Sequence, residues 1–498
     1  MNRAIKRLAL ASLALFLVML GWVNYLQVYR ASSLAAEPGN SRTFNQQFQF
    51  QRGAIIAAGD SSAPTVIAES RLVKGTSIYQ RYYPGGTTYA PVTGYDSIYA
   101  STSPYGATGI EQAETRYLSG TAPGLAVHNL ISLFSGKSQT GANVYLTISP
   151  KAQAAAYQAM RAMGRPAGLV ALNPSTGAIL ALASYPTFDP NLYATLDGTK
   201  LNQIDAKYRA DPSQPLLDRA LNATFPPGST FKIVTGSAAF STGKVANQNS
   251  TIPAPQFYTL PGSTHVLTND GSAPCGDGNP PIIYAFTVSC NTAFGKLGDT
   301  VGPSALHNYA DAYGFNNPNL TIPLGVSPSG YPLLSDPAQT AMSAIGQFDD
   351  TVTPLQEAML AATVANHGLL MRPYMVSEIQ APDLSVVSRA QPTAISQVIS
   401  PQVAGYLTAM MEGVTQNPAG TAYQTAGPPS TGILIAGKTG TAQNGPNNSG
   451  LDDAVFTCFA PASDPQIAVG VIVQGGGFGA DAAAPIALKV IQAYLGQH

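Results

Sequence analysis

The feature that most restricts how this chain can fold is an uncharged apolar segment near its start. No residue from 8 to 28 is charged, and most of the segment is Leu, Ala or Val. At about 1.5 Å per residue, a helix of this length nearly spans a hydrocarbon layer of ~30 Å. No comparable run occurs in the rest of the 498 residues. The sequence therefore predicts a single-pass protein of the cell membrane.

The charges around this segment predict its orientation. Arg3, Lys6 and Arg7 precede it, and only Arg30 follows closely. Because Lys and Arg next to a span stay in the cytoplasm, we expect a cytoplasmic N-terminus and the rest of the chain on the extracytoplasmic side. The alternative is a cleaved signal peptide with its cleavage region at 31–36. We favour a retained anchor, because the apolar core is longer than the roughly 7–15 residues of that class.

The low charge of the chain excludes other function classes. Charged residues make up 10% of the sequence and hydrophobic residues 45%, which argues against disorder. The net charge of −1 provides no basic surface, so we expect no nucleic-acid partner. The five histidines lack the spacing of metal ligands, so we expect neither a metal nor a cofactor.

The sequence suggests two domains after the anchor. Residues 1–30 form the cytoplasmic tip and the anchor, and residues 31–143 form an N-terminal domain that is dense in tyrosine between 79 and 105. Those tyrosines either line a glycan groove or fill an irregular core, and we favour the core. Near residue 144 the pattern changes to a strand and then to a helix that begins at Ser149-Pro150, which opens a second domain, 144–498.

Apolar runs at both ends of this second domain predict strands that meet in one sheet. Runs at 169–172 and 179–183 flank an Asn-Pro and Gly turn and predict a hairpin. The C-terminal end supplies three predicted strands and a helix, at 433–436, 455–459, 467–473 and 485–495. Because the intervening region 220–415 has a helical pattern, we expect an α+β domain with a helical insertion.

The first chemical motif is Ser229-Thr-Phe-Lys232, which follows the helix-breaking Pro226-Pro-Gly228. The apolar residues after it predict a buried helix, on which Ser229 and Lys232 share a face. Burial lowers the pKa of a lysine, so Lys232 can take the proton of Ser229. A second copy, Ser241 to Lys244, lies at the glycine-broken end of this helix and is interpreted as a cap with an exposed lysine.

The second motif is the only Ser-x-Asn triplet, Ser289-Cys-Asn291. On an extended or turn segment, a hydroxyl and an amide two residues apart can face the same way. The hydroxyl of Ser289 could then relay a proton while the amide of Asn291 binds a substrate carbonyl. For the triplet alone, a loop with local side-chain caps is the alternative.

The third motif, Gly437-Lys-Thr-Gly-Thr441, has two interpretations. Together with Gly432 it matches the pattern of a nucleotide-binding phosphate loop. The four residues between the two glycines are aliphatic, however, and predict a strand rather than a loop. No helix pattern follows the lysine, and we reject this interpretation.

As an edge strand, the same motif can instead contribute to a binding site. Gly440 allows a ligand backbone to approach closely. Lys438 and the hydroxyls of Thr439 and Thr441 can bind a carboxylate. The backbone N–H groups of Thr441 and Ser229 can form an oxyanion hole.

In this order the three motifs resemble those of the penicillin-binding proteins, which are serine D,D-transpeptidases of the β-lactamase-like penicilloyl serine transferase fold. The resemblance covers 144–498, including Thr353-Pro-Leu-Gln356, and implies a central antiparallel sheet. Residues 52–55, 82–84 and 109–111 are similar to the pedestal of monofunctional class B members. That part is too short for the glycosyltransferase domain of class A. The overall pattern is most similar to the actinobacterial penicillin-binding protein A group.

The resemblance implies a catalytic role for each motif residue. Ser229 attacks the penultimate D-Ala carbonyl of a peptidoglycan stem peptide, with Lys232 as general base. Ser289 and Lys438 help to pass the proton to the leaving amine, and Asn291 holds the substrate amide. An amine from a neighbouring stem then resolves the acyl-enzyme and forms a cross-link.

The resemblance also implies ligands and partners. Thr439 and Thr441 bind the terminal carboxylate, and β-lactam antibiotics acylate Ser229. A glycosyltransferase and proteins of the divisome or elongasome are expected partners in cell-wall synthesis. A D,D-carboxypeptidase and a non-enzymatic β-lactam sensor or divisome scaffold are the alternatives. A β-lactamase is less consistent with the sequence, because no residue is identified as a deacylating base.

Cysteine usage adds a separate hypothesis. Cys275 and Cys290 lie 15 residues apart in an oxidising compartment, and Cys290 is inside the second motif. We expect a disulfide between them that restrains a loop beside the site, with two free buried thiols as the alternative. Cys458 lies in an apolar run and is expected in the core.

Overall fold

The computed structural model describes residues 2–30, 48–59, 63–99, 106–126, 128, 134, 139–270, 273–428, 432–443 and 450–496. The strands are β1 Ile55–Ala57, β2 Thr65–Leu72, β3 Tyr79–Tyr82, β4 Asn143–Leu146, β5 Ala167–Leu172, β6 Ile179–Tyr185, β7 Phe257–Thr259, β8 Val266–Thr268, β9 Leu369–Met371, β10 Val376–Gln380, β11 Val386–Arg389, β12 Ala394–Gln397, β13 Ala436–Ala442, β14 Asp453–Ala460 and β15 Ile467–Val473. The α-helices are Asn2–Asn24, Ala90–Thr93, Gly109–Ala113, Thr115–Leu118, Pro150–Met163, Pro190–Tyr193, Gly198–Ala210, Lys232–Ser241, Ile282–Thr287, Asn291–Val301, Pro303–Ala312, Pro337–Ser343, Pro354–Ala365, Pro401–Gln416, Tyr423–Ala426 and Gly479–Leu495.

The N-terminal apolar segment forms one long helix. The α-helix Asn2–Asn24 continues into a π-helical turn, Tyr25–Tyr29. Its apolar part, Ile5–Gln27, has a mean hydropathy of 1.9, and none of its most apolar window is buried against the protein. Within the described residues it is the one helix long and apolar enough to cross a membrane. These properties are consistent with a single-pass anchor.

Six strands form a mixed sheet in the order β11-β10-β4-β1-β2-β3. Strands β1 and β4 run parallel, and the other pairs are antiparallel. The predicted boundary at residue 144 falls inside β4, which lies between β1 and β10. Segments from both sides of that boundary therefore share one sheet.

Buried polar and aromatic side chains fill the N-terminal part. The Glu111 carboxylate accepts from Arg52 Nε at 2.7 Å and from Arg81 Nε at 2.5 Å. Neighbouring charges of opposite sign compensate for the desolvation of all three groups. Tyr83 and Tyr95 are buried, as expected for tyrosine in a core, whereas the predicted Tyr105 lies outside the described residues.

The second sheet has five antiparallel strands in the order β13-β14-β15-β5-β6, so strands from both ends of the second domain meet as predicted. The edge strand β13 begins at Ala436, where the strand predicted at 433–436 ends. Ala436 pairs with Phe459 near the end of β14, and the residues before Ala436 lie beside the segment that follows β14, where Leu434 O accepts from Ala462 N at 2.7 Å. The C-terminal helix begins at Gly479, earlier than the predicted 485.

The five-stranded sheet lies between helices. The helices Pro150–Met163 and Gly479–Leu495 pack together against β6, β14 and β15. The helix Pro354–Ala365, called the central helix below, packs against β5, β14 and β15, and all of its residues are buried. This helix has no polar face, which is typical of a helix enclosed by protein on all sides. The α+β prediction is confirmed.

Candidate active site

The first motif lies on a tight turn that packs against β13. Residues Gly228–Phe231, called the serine turn below, form a 3-10 turn, and the α-helix begins only at Lys232. Gly228 has φ 55° and donates its N–H to Gly346 O at 3.0 Å. A Cβ on Gly228 would contact the Thr441 backbone, with its oxygen at 2.8 Å. Ser229 thus lies beside the third motif and is partly exposed, whereas Lys232 is buried.

Lys232 connects the first motif to the second. Its Nζ donates to Ser289 O at 2.7 Å, to Asn291 Oδ1 at 2.8 Å and to Ser289 Oγ at 3.3 Å. Burial holds the pKa of Lys232 well below its ordinary value, and the nearby Lys438 charge lowers it further, while Asp270 opposes both effects. Since the uncharged form of an amine is a base, this environment prepares Lys232 to accept a proton.

The second motif is a sharp turn at a helix start. Ser289 has φ 58°, a left-handed conformation that few non-glycine residues adopt. Asn291 is the first residue of the helix Asn291–Val301. This geometry directs the Ser289 carbonyl and the Asn291 amide oxygen to the same lysine, Lys232. The Ser289 hydroxyl and the Asn291 amide face the same way, as the sequence suggested, since both also accept from Lys232 Nζ, at 3.3 and 2.8 Å.

Lys438 connects the second motif to the third. Its Nζ donates to Ser289 Oγ at 2.8 Å and to Thr439 O at 2.9 Å. Burial lowers the pKa of Lys438 to about 7, and Asp270 opposes the shift. Two ammonium groups that contact one hydroxyl disfavour each other, so one neutral amine beside Ser289 is favoured at neutral pH.

Glycine at position 440 makes room for the serine turn. A Cβ on Gly440 would lie 2.7 Å from Pro227 O and 3.2 Å from Thr230 Cγ2. Contacts near 2.7 Å are closer than carbon and oxygen tolerate, so a larger residue would separate β13 from the turn. The close approach expected of a ligand backbone at Gly440 is, in the structure, made by the protein's own backbone.

Two polar residues that the sequence did not single out hold β13. Thr421 Oγ1 lies 2.6 Å from Thr439 Oγ1, and Gln347 Nε2 donates to Thr441 O at 2.8 Å. Gln347 follows Gly346, which accepts from the serine turn. Neither residue belongs to a local motif, so only the three-dimensional structure reveals them.

The structure also shows where the three cysteines, the second Ser-x-x-Lys copy and the start of the third motif lie. Cys275 and Cys290 form a disulfide that connects the second motif to the loop before it, and Cys458 is buried in β14. Lys244, in the second Ser-x-x-Lys copy, is exposed beyond the end of its helix. From Ala436 the third motif forms a strand rather than a phosphate loop.

The structure thus brings the three motifs together. Hydrogen bonds join Lys232, Ser289, Asn291 and Lys438, and backbone packing places the serine turn against Thr441. A partly exposed hydroxyl, two lysines with lowered pKa values and a neighbouring edge strand suit nucleophilic acyl transfer.

Comparisons with known proteins agree with this geometry. Residues 167–492 match the family model of the penicillin binding protein transpeptidase domain, and residues 52–144 match that of the penicillin binding protein A dimerisation domain. The peptidoglycan D,D-transpeptidase PbpA of Mycolicibacterium smegmatis is 41% identical, with 99% of each chain covered. The peptidoglycan D,D-transpeptidase MrdA of Acinetobacter baumannii is 30% identical over 81% of this chain and 64% of its own length.

A solved structure extends the similarity to three dimensions. Penicillin-binding protein A from M. tuberculosis, as a penicillin G acyl-enzyme complex, superposes with a TM-score of 0.83 at 39% identity. The match covers 90% of this chain and all of that chain.

Proposed function

This chain belongs to the penicillin-binding protein family and is a serine-type peptidoglycan D,D-transpeptidase, and we propose that Ser229 is its nucleophile. The observation that carries the assignment is the shared contact of Lys232 and Lys438 with the Ser289 hydroxyl, at 3.3 and 2.8 Å. This contact assembles residues from three separate parts of the sequence beside one partly exposed serine.

In the proposed acylation step, Ser229 Oγ attacks the carbonyl carbon of the penultimate D-Ala of a stem peptide. Lys232 in its neutral form takes the hydroxyl proton, which its lowered pKa permits. The backbone N–H groups of Ser229 and Thr441 stabilise the negative charge on the carbonyl oxygen. The adjacency of the serine turn and β13 supports this pairing.

The proton then moves to the departing amine. We assign this transfer to Ser289 and Lys438, because the Ser289 hydroxyl lies between the two lysines. The C–N bond breaks, D-Ala leaves, and an acyl-enzyme remains on Ser229. Asn291 holds the substrate amide, while Thr439 and Thr441 bind the terminal carboxylate.

The acyl group is next transferred to an amine of a neighbouring stem peptide, which creates the cross-link and frees Ser229. β-Lactams imitate the donor, and attack on the ring carbonyl gives a long-lived acyl-enzyme. Water in place of the amine would make the protein a D,D-carboxypeptidase. Acylation without turnover would make it a sensor or a scaffold.

Topology and partners are also part of the proposal. The helix Ile5–Gln27 anchors the chain with a cytoplasmic N-terminus, and the catalytic part is extracytoplasmic. We assign 1–30 to the tip and anchor, 31–143 to the pedestal and 144–498 to the transpeptidase domain. A glycosyltransferase that supplies glycan strands and proteins of the divisome or elongasome are the proposed partners in division and cell shape.

Labelling with a fluorescent penicillin tests the nucleophile. The wild-type chain should give a covalent band, and Ser229→Ala should abolish it. Ser241→Ala, in the second Ser-x-x-Lys copy, is the matched control and should label normally. A band that persists in Ser229→Ala would overturn the assignment.

Product analysis with donor and acceptor peptides tests the reaction. Cross-linked dimers are expected. Shortened peptides alone would indicate a carboxypeptidase, and no turnover at all would indicate a sensor or scaffold.

A further inference from the structure

A buried carboxyl group lies directly behind the serine turn and has no role in the mechanism above. Glu357 is in the central helix and is completely buried. Its Oε1 lies 2.7 Å from Oγ1 of Thr230, the residue after Ser229. Among the described residues, no cation forms an ion pair with Glu357, and its Oε2 has no hydrogen-bond partner.

The two contacts of the Thr230 hydroxyl bear on the protonation state of Glu357. Thr230 Oγ1 lies 2.8 Å from Pro227 O as well as 2.7 Å from Glu357 Oε1. A hydroxyl has one proton, and a carbonyl oxygen can only accept. If Thr230 donates to Pro227, the contact with Glu357 is a hydrogen bond only when Glu357 donates. The two distances together therefore fit a protonated carboxyl group.

Glu357 also connects the serine turn to the sheet. Its backbone oxygen accepts from Thr457 Oγ1 at 2.6 Å, and Thr457 pairs with Lys438 in the register of β14 and β13. Thr230 Cγ2 lies against Gly440 on the same strand. The glutamate thus stands at the junction of the first and third motifs without reaching the substrate.

We propose that Glu357 is a positioning residue that acts as a neutral acid. Its carboxyl proton is donated to Thr230 Oγ1, and the Thr230 proton is donated to Pro227 O, which holds the serine turn in its reactive geometry. When Glu357 loses its proton, the first hydrogen bond reverses, because a carboxylate can only accept. Thr230 then donates to Glu357, and Pro227 O loses this donor. The inference rests on the proposed role of Ser229.

The surroundings favour the protonated form. Burial raises the pKa of Glu357 to about 8, and only the Thr230 hydrogen bond opposes the shift. Strands β5, β9 and β15, which pack against the central helix, contain no titratable side chain. The other packed elements, β14 and the helix Pro401–Gln416, contain Asp453, Cys458, Tyr406 and Glu412, and the serine turn is followed by Lys232. None of these groups is a cause of the shift.

The test is the pH dependence of acylation by a fluorescent penicillin, measured on the full chain in detergent from about pH 6 to 10. The rate constant for acylation and the half-saturating concentration are determined separately. Glu357→Gln keeps a donor for Thr230 but cannot ionise, and Glu357→Leu removes the donor. Glu114→Gln removes a half-buried carboxyl group of the pedestal and is the matched control.

The wild type and Glu114→Gln should lose acylation rate as pH rises through about 8, the pKa of Glu357. Glu357→Gln should lose less rate than the wild type over this range, because only the lysines of the site still titrate, and should stay within about twofold of the wild type at pH 7. Glu357→Leu should reduce the acylation rate constant about tenfold or more, with less change in half-saturation, because a misplaced nucleophile reacts slowly after binding.

An alkaline loss in Glu357→Gln equal to that of the wild type would overturn the proposal, whether or not the leucine variant folds. Wild-type rates in Glu357→Leu would overturn it too. If either result is found and Ser229→Ala is not labelled by penicillin, the proposed function stands and only the role of Glu357 is refuted. If Ser229→Ala is labelled, the proposed function is refuted instead.

Discussion

Lys232 and Lys438 donate to the same hydroxyl, that of Ser289, over distances of 3.3 and 2.8 Å. Each ammonium group makes the charged form of the other less favourable. The positive charge of Lys438 is one of the causes that lower the pKa of Lys232. The base of the first motif therefore depends on the third motif, far along the sequence, for its proton affinity.

Replacing Lys438 should shift the acidic limb of the pH–rate profile for penicillin acylation to higher pH. In Lys438→Met the pKa of Lys232 rises, because a repelling cation is lost and burial alone remains to lower it. A smaller fraction of Lys232 is then neutral at pH 7, so the rate of penicillin acylation falls, by about tenfold or more. Rate measurements against pH check this shift. Lys244→Met, at the exposed second lysine, should keep the wild-type profile.

Gly440→Ala should separate the third motif from the serine turn. The added Cβ would lie 2.7 Å from Pro227 O, and neither backbone can move freely. We expect a loss of about 1–3 kcal/mol in the free energy of unfolding and a strongly reduced acylation rate. Denaturant titration and penicillin labelling measure the two effects. At Gly405, in an open helical position, the same change meets no atom within 4 Å and should stabilise the chain slightly. Unchanged acylation in Gly440→Ala would contradict the close packing of turn and strand.

Removing the disulfide should loosen the second motif. In Cys275→Ala/Cys290→Ala we expect about 2–4 kcal/mol less stability, since the closed loop spans 15 residues. Thermal or denaturant unfolding measures the loss. In the denatured and unreduced wild type, one reactive thiol is expected, from Cys458. Three reactive thiols would show that the bond is absent.

Glu111→Ala should strongly destabilise the pedestal. It leaves the buried guanidinium groups of Arg52 and Arg81 without their shared carboxylate, at a cost of about 3–5 kcal/mol. The arginines lower the pKa of Glu111, although burial opposes them. Its stabilisation is therefore present above its ordinary pKa and is lost as pH falls through the lowered value, so the difference between variant and wild type should shrink in acid.

Glu69→Ala is the matched control for that prediction. Glu69 pairs with Arg71 at the surface, where both side chains are more than one third exposed. Its removal should cost about 0–1 kcal/mol. An equal effect of the two substitutions on unfolding would contradict the importance of the buried network.

The sequence predicts the parts of this protein that depend on local signals. The helix Pro150–Met163 begins where expected, because Ser149 caps it and Pro150 occupies its first position. The three motifs can be recognised from their residue types and their order along the chain, so Ser229, Ser289 and Lys438 could be assigned to one site from the sequence.

Features that depend on distant contacts could not be predicted in this way. Gln347 and Thr421 reach β13 from other segments, and no local pattern distinguishes them from surface residues. Strand β10 joins the six-stranded sheet by pairing with β4, and β11 then pairs with β10, which depends on the topology of the chain and not on local composition. Glu357 could not be identified from the sequence for the same reason, since its proposed role depends on the hydroxyl of Thr230 in another segment.

The sharing of one sheet by two segments has a practical consequence. Cutting the chain at residue 144 to obtain the catalytic part alone would remove β1 and leave the peptide groups on that side of β4 without partners, while β10 still pairs with the other side. An unpaired sheet edge of this kind can pair with strands of other molecules. A fragment that begins at residue 144 should aggregate on expression, whereas one that begins before β1 should remain in solution.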